Sequence, residues 1–450
     1  MSRGRDRNRD DGTQGDHHTG IRERVDPLRL YMYGMQVPGA FLVAFAYTTS
    51  IVYYVQAGHL NPLQLVLLGT TVEVTYFITQ LPTGILADTI GRRPCVVAGW
   101  LLIGMGFVLQ GLSPTFAAFV VSEVLIGLGA AFQDGAQEAW IADELDDDAM
   151  GPVYLRATQL GTVGSMVGAV LSGVAADELL QLPLLLSGLI ICAVGVVLAF
   201  LMPERRVEER GEKPARVMEI DAASPGLWPQ FTAQFRDART AVLAVPGLAL
   251  LLGAALFVGL WSESFDRLWG DFLLKEIGLP HVLGLRPAAW FSAIAVAVAL
   301  LSLGSTEIAK RRIDRLGHPA AAGMLLGTTV LIGLGVLAMA SSHGFALAVG
   351  AYLFVQVLRP VYTPLIAGWI AGRVEPRLRA TALSAPGLFD SGGQIIGGPA
   401  VGWIGVLGTV RTALFAGAVA LAPAIALLVA ASRRVRALTG MAPAPGAAES

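Results

Sequence analysis

A few charged side chains stand inside long apolar runs, where a bilayer-spanning helix would make them costly unless they face protein or water. The richest run reads Glu123-Val124-Leu125-Ile126-Gly127-Leu128-Gly129-Ala130-Ala131-Phe132-Gln133-Asp134-Gly135-Ala136-Gln137-Glu138. At about 100° per residue, Glu123, Gly127, Ala130, Asp134, Gln137 and Glu138 fall on one stripe of a continuous helix. A carboxylate there must take a proton, bind a cation or pair with a base, so Glu123 and Asp134 are candidates for proton coupling or for structural pairing. Glu73, Arg359 and Asp390 sit at similar depth in other runs. Arg359 and Asp390 are expected to pair, as part of a mechanism or as a plain salt bridge. Glu73 has no basic partner in sight and suits either a proton carrier or a neutral, hydrogen-bonded acid. Glu263, Asp266 and Arg267 lie between Trp261 and Trp269. The tryptophans argue for a membrane interface and the i,i+4 spacing for a Glu263–Arg267 pair. A gate or a structural pair is the expected role.

Helices must carry these residues. Of the 450 residues, 54% are apolar and 15% charged, against about 25% charged in soluble domains. Apolar runs of about 20 residues, the length that crosses a bilayer core, recur near 30–55, 62–83, 95–113, 115–140, 155–177, 183–202, 246–269, 288–308, 320–341, 344–369, 381–407 and 409–431. The expected fold is therefore all-α and polytopic, with twelve transmembrane helices. The expected divisions are a disordered tail 1–28, a six-helix bundle 29–202, a linker 203–245, a second bundle 246–431 and a tail 432–450. With the N-terminus in the cytoplasm, 27 of the 32 basic residues lie on the inner side, 3 outside (Lys275, Arg286, Arg411) and 2 within spans (Arg267, Arg359). The inside-positive rule thus places both termini in the cytoplasm.

Several classes are disfavoured. A net charge of −2 offers no basic surplus for nucleic acid. Cys95 and Cys192 are the only cysteines, and none of the six histidines lies inside a span. Neither metal nor cofactor is expected, and an enzyme is disfavoured. None of the three lysines completes a phosphate-binding loop, which argues against an ATP-driven pump.

The second and third runs are joined by Gly84-Ile85-Leu86-Ala87-Asp88-Thr89-Ile90-Gly91-Arg92-Arg93. This segment resembles, without a gap, the G-x-L-A-D-x-x-G-R-R/K signature of the major facilitator superfamily, and the six-plus-six layout resembles that family over nearly the whole chain. The resemblance implies two pseudo-symmetric bundles, alternating access, and a conformational latch formed by Gly84, Asp88, Gly91, Arg92 and Arg93. Physically, glycines suit sharp turns and close approach, Asp88 suits a helix N-terminus, and the arginines can pair with acids such as Glu138, Asp143 or Glu144. The equivalent loop at Lys310–Gly317 keeps the charge and loses the pattern.

Two features depart from the family. Glu123 stands where an arginine is usual, four residues before Gly127, which reverses the expected sign and speaks against an arginine proton relay. The span-5 glycines Gly161, Gly164, Gly168 and Gly173 resemble the drug-exporting branches, but the Gly-Pro those branches carry there occurs here in span 11, as Gly398-Pro399. Such glycine spacing permits close helix packing. The expected function is proton-coupled efflux of an amphipathic small molecule, with a cationic one favoured by the surplus of core carboxylates. The alternative is a proton symporter importing a small metabolite. The expected partners are that small molecule, protons and the lipid bilayer, for a monomer in the cell membrane of a GC-rich bacterium.

Overall fold

The computed structural model describes residues 26–144, 147–203, 247–282, 284–371 and 376–439, with side chains at 147–150, 305–321, 371, 376–381 and 435–439 excepted. The expectations for the tail before 26, the linker from 204, the side chains of the Lys310–Gly317 loop and the end beyond 439 lie outside them.

All elements among the described residues are helices. They are α1 (Pro27–Gln56), α2 (Pro62–Ile90), α3 (Arg92–Leu112), α4 (Phe116–Glu144), α5 (Asp147–Glu178), α6 (Leu182–Leu201) and α7 (Leu248–Ile277). A second group follows: α8 (Pro287–Gly304), α9 (Ala322–Ser341), α10 (Phe345–Ala371), α11 (Pro376–Leu407) and α12 (Val410–Thr439). Helical backbone runs from Pro287 to Ser341. Trp290 near its start packs edge-on against Phe345 just after its end, with centroids 4.8 Å apart. Both ends therefore lie on one face, and the segment counts as two spans. Among the described residues, eleven helices are apolar and long enough to cross a bilayer; α11, carrying Asp390 and Ser391, is the twelfth.

Local chemistry sets the helix ends. Asn61 caps α2 reciprocally with Gln64, at 2.9 and 3.0 Å. Gly91, at φ 109°, ends α2 and turns the chain into α3. Thr115 caps α4. The glycines of α5 and α11 let backbones touch. Gly164 leaves room for Val37 O and Gly168 for the Phe41 backbone, binding α5 to α1; Gly393 and Gly397 receive α7 at Leu256 and Leu260. Without a hydrophobic force between lipid-embedded helices, this close packing is what holds them together.

The two bundles meet along α2–α11, α5–α8 and α1–α7. Gly402 abuts Leu63 and Val66, Gly398 abuts Val66 and Thr70, Gly173 abuts Ser292, and Gly270 abuts Ile51. Lys275 donates to Leu60 O and Arg286 to Asp177 O. These contacts cluster toward the end marked by the Asn61 turn. Further along α2 and α11, Gly84 and Gly387 have nothing within 4 Å of where a Cβ would stand, and Ile78, Leu81, Leu388 and Phe389 are exposed. Among the described residues, the bundles are closed at the Asn61 face and parted at the opposite face.

Candidate functional site

Helix α7 turns Glu263, Asp266 and Arg267 into the middle of the molecule, and the three residues serve different neighbours. Arg267 Nε donates to Glu263 Oε1 at 3.0 Å, and the Glu263 side chain is only 6% exposed. Gly69 of α2 lies directly against this pair. Beyond Glu263, Arg267 stands within electrostatic range of Glu123 and Tyr47 in the other bundle. The expected membrane-interface position for this triad is therefore corrected. Trp261 is buried against Phe265, and Trp269 is half-buried, stacked on Tyr352 at 4.1 Å, so packing against neighbouring rings accounts for both.

Glu123 is fully buried, as is Gln110 of α3. Gln110 Nε2 donates to Glu123 Oε1 at 2.9 Å, and Tyr54 Oη donates to Gln110 Oε1 at 3.0 Å. Glu123 Oε2 has no hydrogen-bond partner among the described residues. A relay of Tyr54, Gln110 and Glu123 thus faces the Arg267–Glu263 pair. Between the bundles lies a cavity of about 500 Å³ walled by Tyr47, Tyr54, Trp269, Phe291 and Tyr352, with Asp266 and Arg267 on its lining.

Asp266 also reaches the second bundle's own interior. Arg359 of α10 grips its carboxylate with both terminal nitrogens, Nη2 to Oδ2 at 2.7 Å, and also donates to Gln356 Oε1 at 3.2 Å. Its guanidinium lies over the Trp261 ring, 5.5 Å from the centroid. The expected Arg359–Asp390 pair is thereby replaced: residue spacing gives depth along a helix but not which neighbour is nearest. Asp390 instead accepts from Gln394 one turn along α11, at 2.8 Å. Asp266, Arg359, Asp390, Gln394, Trp261 and Tyr362 line a second cavity of about 440 Å³.

Glu73 stands near Ser391 of α11, and within electrostatic range of Glu263, Arg267 and Asp390. It therefore has a cation in its surroundings, which the isolated sequence did not show. Asp134 belongs to a different place from Glu123. The helix breaks at Asp134, which caps the Phe116–Gln133 segment, and Gly135 takes φ 73° before helix resumes at Ala136. The continuous stripe is therefore corrected. Asp134 is exposed and accepts from Tyr76 of α2, whose oxygen also accepts from Gln80.

In the 84–93 segment, Arg92 reaches Ala139 O and the Asp143 carboxylate, and Arg93 reaches Ala199 O. Asp88 is exposed in the last turn of α2. It stands near a helix C-terminus, not the N-terminus that would favour an anion. The structure thus brings Glu73, Glu263, Arg267 and Asp390 into one neighbourhood, sets Arg359 on Asp266, and leaves Asp134 and Asp88 apart. Sequence reasoning passed over Tyr47, Tyr54, Tyr76, Tyr362 and Ser391 as site residues. Their signal is faint, since tyrosine and serine are ordinary in apolar helices. Gln110 and Gln394, amides in otherwise apolar runs, were the more legible hints.

Comparison with known proteins places this arrangement. Residues 37–359 match the Major Facilitator Superfamily. Multidrug resistance protein 2 of Bacillus subtilis is 21% identical over 359 residues, covering 77% of this chain and 80% of that protein. Multidrug resistance protein MdtH of Escherichia coli is 23% identical over 354 residues, covering 76% of each. Among solved structures, the nucleoside transporter NupG superposes with a TM-score of 0.67 at 13% identity, over 91% of this chain and 99% of that one. A bacterial homologue of the human lysosomal transporter Spinster, inward-facing and unoccupied, gives 0.67 at 16% identity, over 92% and 98%. A family match over most of the chain, with a twelve-helix fold shared with solved transporters, decides the matter: this chain belongs to the Major Facilitator Superfamily and is a multi-pass membrane transporter, not an enzyme.

Proposed function

We propose that the protein is a proton-coupled exporter of amphipathic small molecules, working by alternating access as a monomer in a bacterial cell membrane. One observation carries this reading. Glu123 is wholly buried, with one oxygen held by Gln110 and the other unpartnered, opposite Arg267 across the bundle boundary. An unpaired carboxylate in so dry a place requires a proton or a nearby cation. Alternating access moves the bundles relative to each other, which changes the separation of Glu123 and Arg267. Proton binding at Glu123 and bundle movement are then two sides of one equilibrium. The multidrug resistance proteins among the relatives support export as the direction.

In this reading the parted face, which bears the 84–93 segment, is cytoplasmic by the inside-positive rule, as are both termini. Asp88, Arg92 and Arg93 with Gly84 and Gly91 form a latch that engages when that face closes. Glu73, Glu123, Asp134, Arg359 and Asp390 serve proton coupling or line the cavity, and the Glu263–Arg267 pair beside Asp266 acts as the gate between the bundles. The test is flux in proteoliposomes with an imposed pH gradient. Substrate movement opposite to the proton gradient establishes export by antiport. Movement with the protons overturns it and makes the chain a symporter.

A further inference from the structure

We propose that the cavity inside the second bundle takes an uncharged, largely apolar molecule by an oxygen acceptor, a carbonyl or phosphoryl group that receives hydrogen bonds from Trp261 and Tyr362. The proposal rests on the transporter reading, because it takes this cavity as a seat of the transported molecule. It needs neither the direction of transport nor its proton coupling.

Trp261 is 2% exposed, yet its indole Nε1–H has no acceptor among the described residues, and Tyr362 Oη is likewise buried without a partner. An indole nitrogen can only donate, and a buried donor left without an acceptor is rare in a native fold. The two side chains come from different helices, α7 and α10, and both border one cavity of about 440 Å³. The Trp261 ring is fixed in place between Phe265, with centroids 5.4 Å apart, and the Arg359 guanidinium, 5.5 Å from its own centroid. Its N–H therefore keeps one direction.

Other polar groups of the lining are already engaged. Ser262 Oγ donates to Gly259 O and Thr329 Oγ1 to Leu325 O, each within its own helix. Arg359 holds the Asp266 carboxylate with both terminal nitrogens and also donates to Gln356. A bidentate pair of this kind is among the strongest charge-assisted arrangements. Asp390 accepts from Gln394, and Tyr362 Oη stands within its electrostatic range without bonding to it.

These engagements decide what the ligand must bring. Arg359 is neutralised by Asp266, so the Asp390 carboxylate makes an anionic acceptor unfavourable in this low-dielectric space. The acceptor oxygen therefore belongs to a neutral group. The remaining wall is apolar, with Val258 of α7, Ile332 of α9, Ile366 of α10 and Leu421 of α12. Ligand sites of this size are mostly apolar, with a few placed polar groups that fix orientation, and the two donors fill that role here.

The test compares three compounds built on the same three phenyl rings. Triphenylphosphine oxide is neutral and carries a strong oxygen acceptor, triphenylmethane has no acceptor, and triphenylacetate carries an anionic one. Binding to the purified full-length chain in detergent is read by equilibrium dialysis against protein-free micelles. The oxide is expected to bind roughly tenfold or more tighter than either of the others, because a site built to hydrogen-bond a ligand rejects analogues that leave its groups unpaired. Trp261→Phe and Tyr362→Phe each keep a ring and remove one donor. Each should weaken the oxide by about fivefold and leave triphenylmethane unchanged, whereas a merely structural role would weaken both compounds alike. Should Trp261→Phe fail to fold, Tyr362→Phe decides alone. An oxide that does not bind, that binds no better than triphenylmethane, or that binds the two folded variants as well as the unmodified protein overturns the proposal. Any of these leaves the transport reading intact, since that reading stands or falls on flux under a pH gradient.

Discussion

Gly69 of α2 lies so close to Glu263 of α7 that a single methyl group at Gly69 would overlap the carboxylate. The glycine is what lets the two bundles seat against each other around the Arg267–Glu263 pair, close to the closed face. Overpacking a tight site of this kind typically costs about 1–3 kcal/mol.

Gly69→Ala is therefore expected to destabilise the closed face, lowering the thermal unfolding midpoint of the purified protein. Gly350→Ala on α10 is the control, because nothing lies within 4 Å of its added methyl. An unchanged midpoint for Gly69→Ala would show that the bundles do not meet there.

Gln110 holds Glu123 Oε1 and receives Tyr54 Oη, all within a buried cluster. Gln110→Leu strands both groups, and a buried polar atom left without its partner costs roughly 1–3 kcal/mol. The loss should be visible in unfolding measurements and should shrink when Glu123→Gln is added, since the second change removes the stranded charge. Additive effects in that double-mutant cycle would argue that the two side chains are not coupled.

Glu123→Gln is expected to abolish pH-gradient-driven accumulation in proteoliposomes while sparing substrate exchange without a gradient, which turns over no protons. Asp134→Asn should have the smaller effect. Asp134 is exposed beside Tyr76, on the far side of the helix break from Glu123. Normal pH-driven transport by a folded Glu123→Gln protein would move the search for the proton site to Glu73.

Asp88 makes no hydrogen bond or ion pair with any described residue. Asp88→Asn should leave unfolding stability within about 0.5 kcal/mol, as exposed substitutions usually do, yet reduce flux severalfold if the latch engages when the parted face closes. Unaltered flux would remove Asp88 from the transport cycle.

Much of this architecture was already legible in the chain. The twelve apolar runs and the arginine and lysine that flank them follow from the bilayer, whereas the Gly84–Arg93 segment was legible through its resemblance to a family signature. In a bilayer every backbone group must be satisfied within its own helix, so span length and flanking charge are written locally. The Glu263–Arg267 pair was legible for the same reason, because residues four apart on a helix must meet.

The partners of the buried charges were not legible, because they are chosen across helices that lie far apart in sequence. Arg359 and Asp390 have matching depths, but Asp266 lies on the side of α10 to which the guanidinium points. Glu123 and Asp134 share a stripe only while the helix is unbroken, and the left-handed turn at Gly135 separates them. Even the tryptophans of α7 changed meaning once Phe265 and Tyr352 were found packed against them. The sequence by itself settled which segments cross the membrane, and which charges that crossing would leave in apolar surroundings. Only the packing of one helix on another decided which of those charges neutralise each other and which carboxylates stay unpaired, because that depends on rotation about each helix axis, and rotation is set by the neighbours.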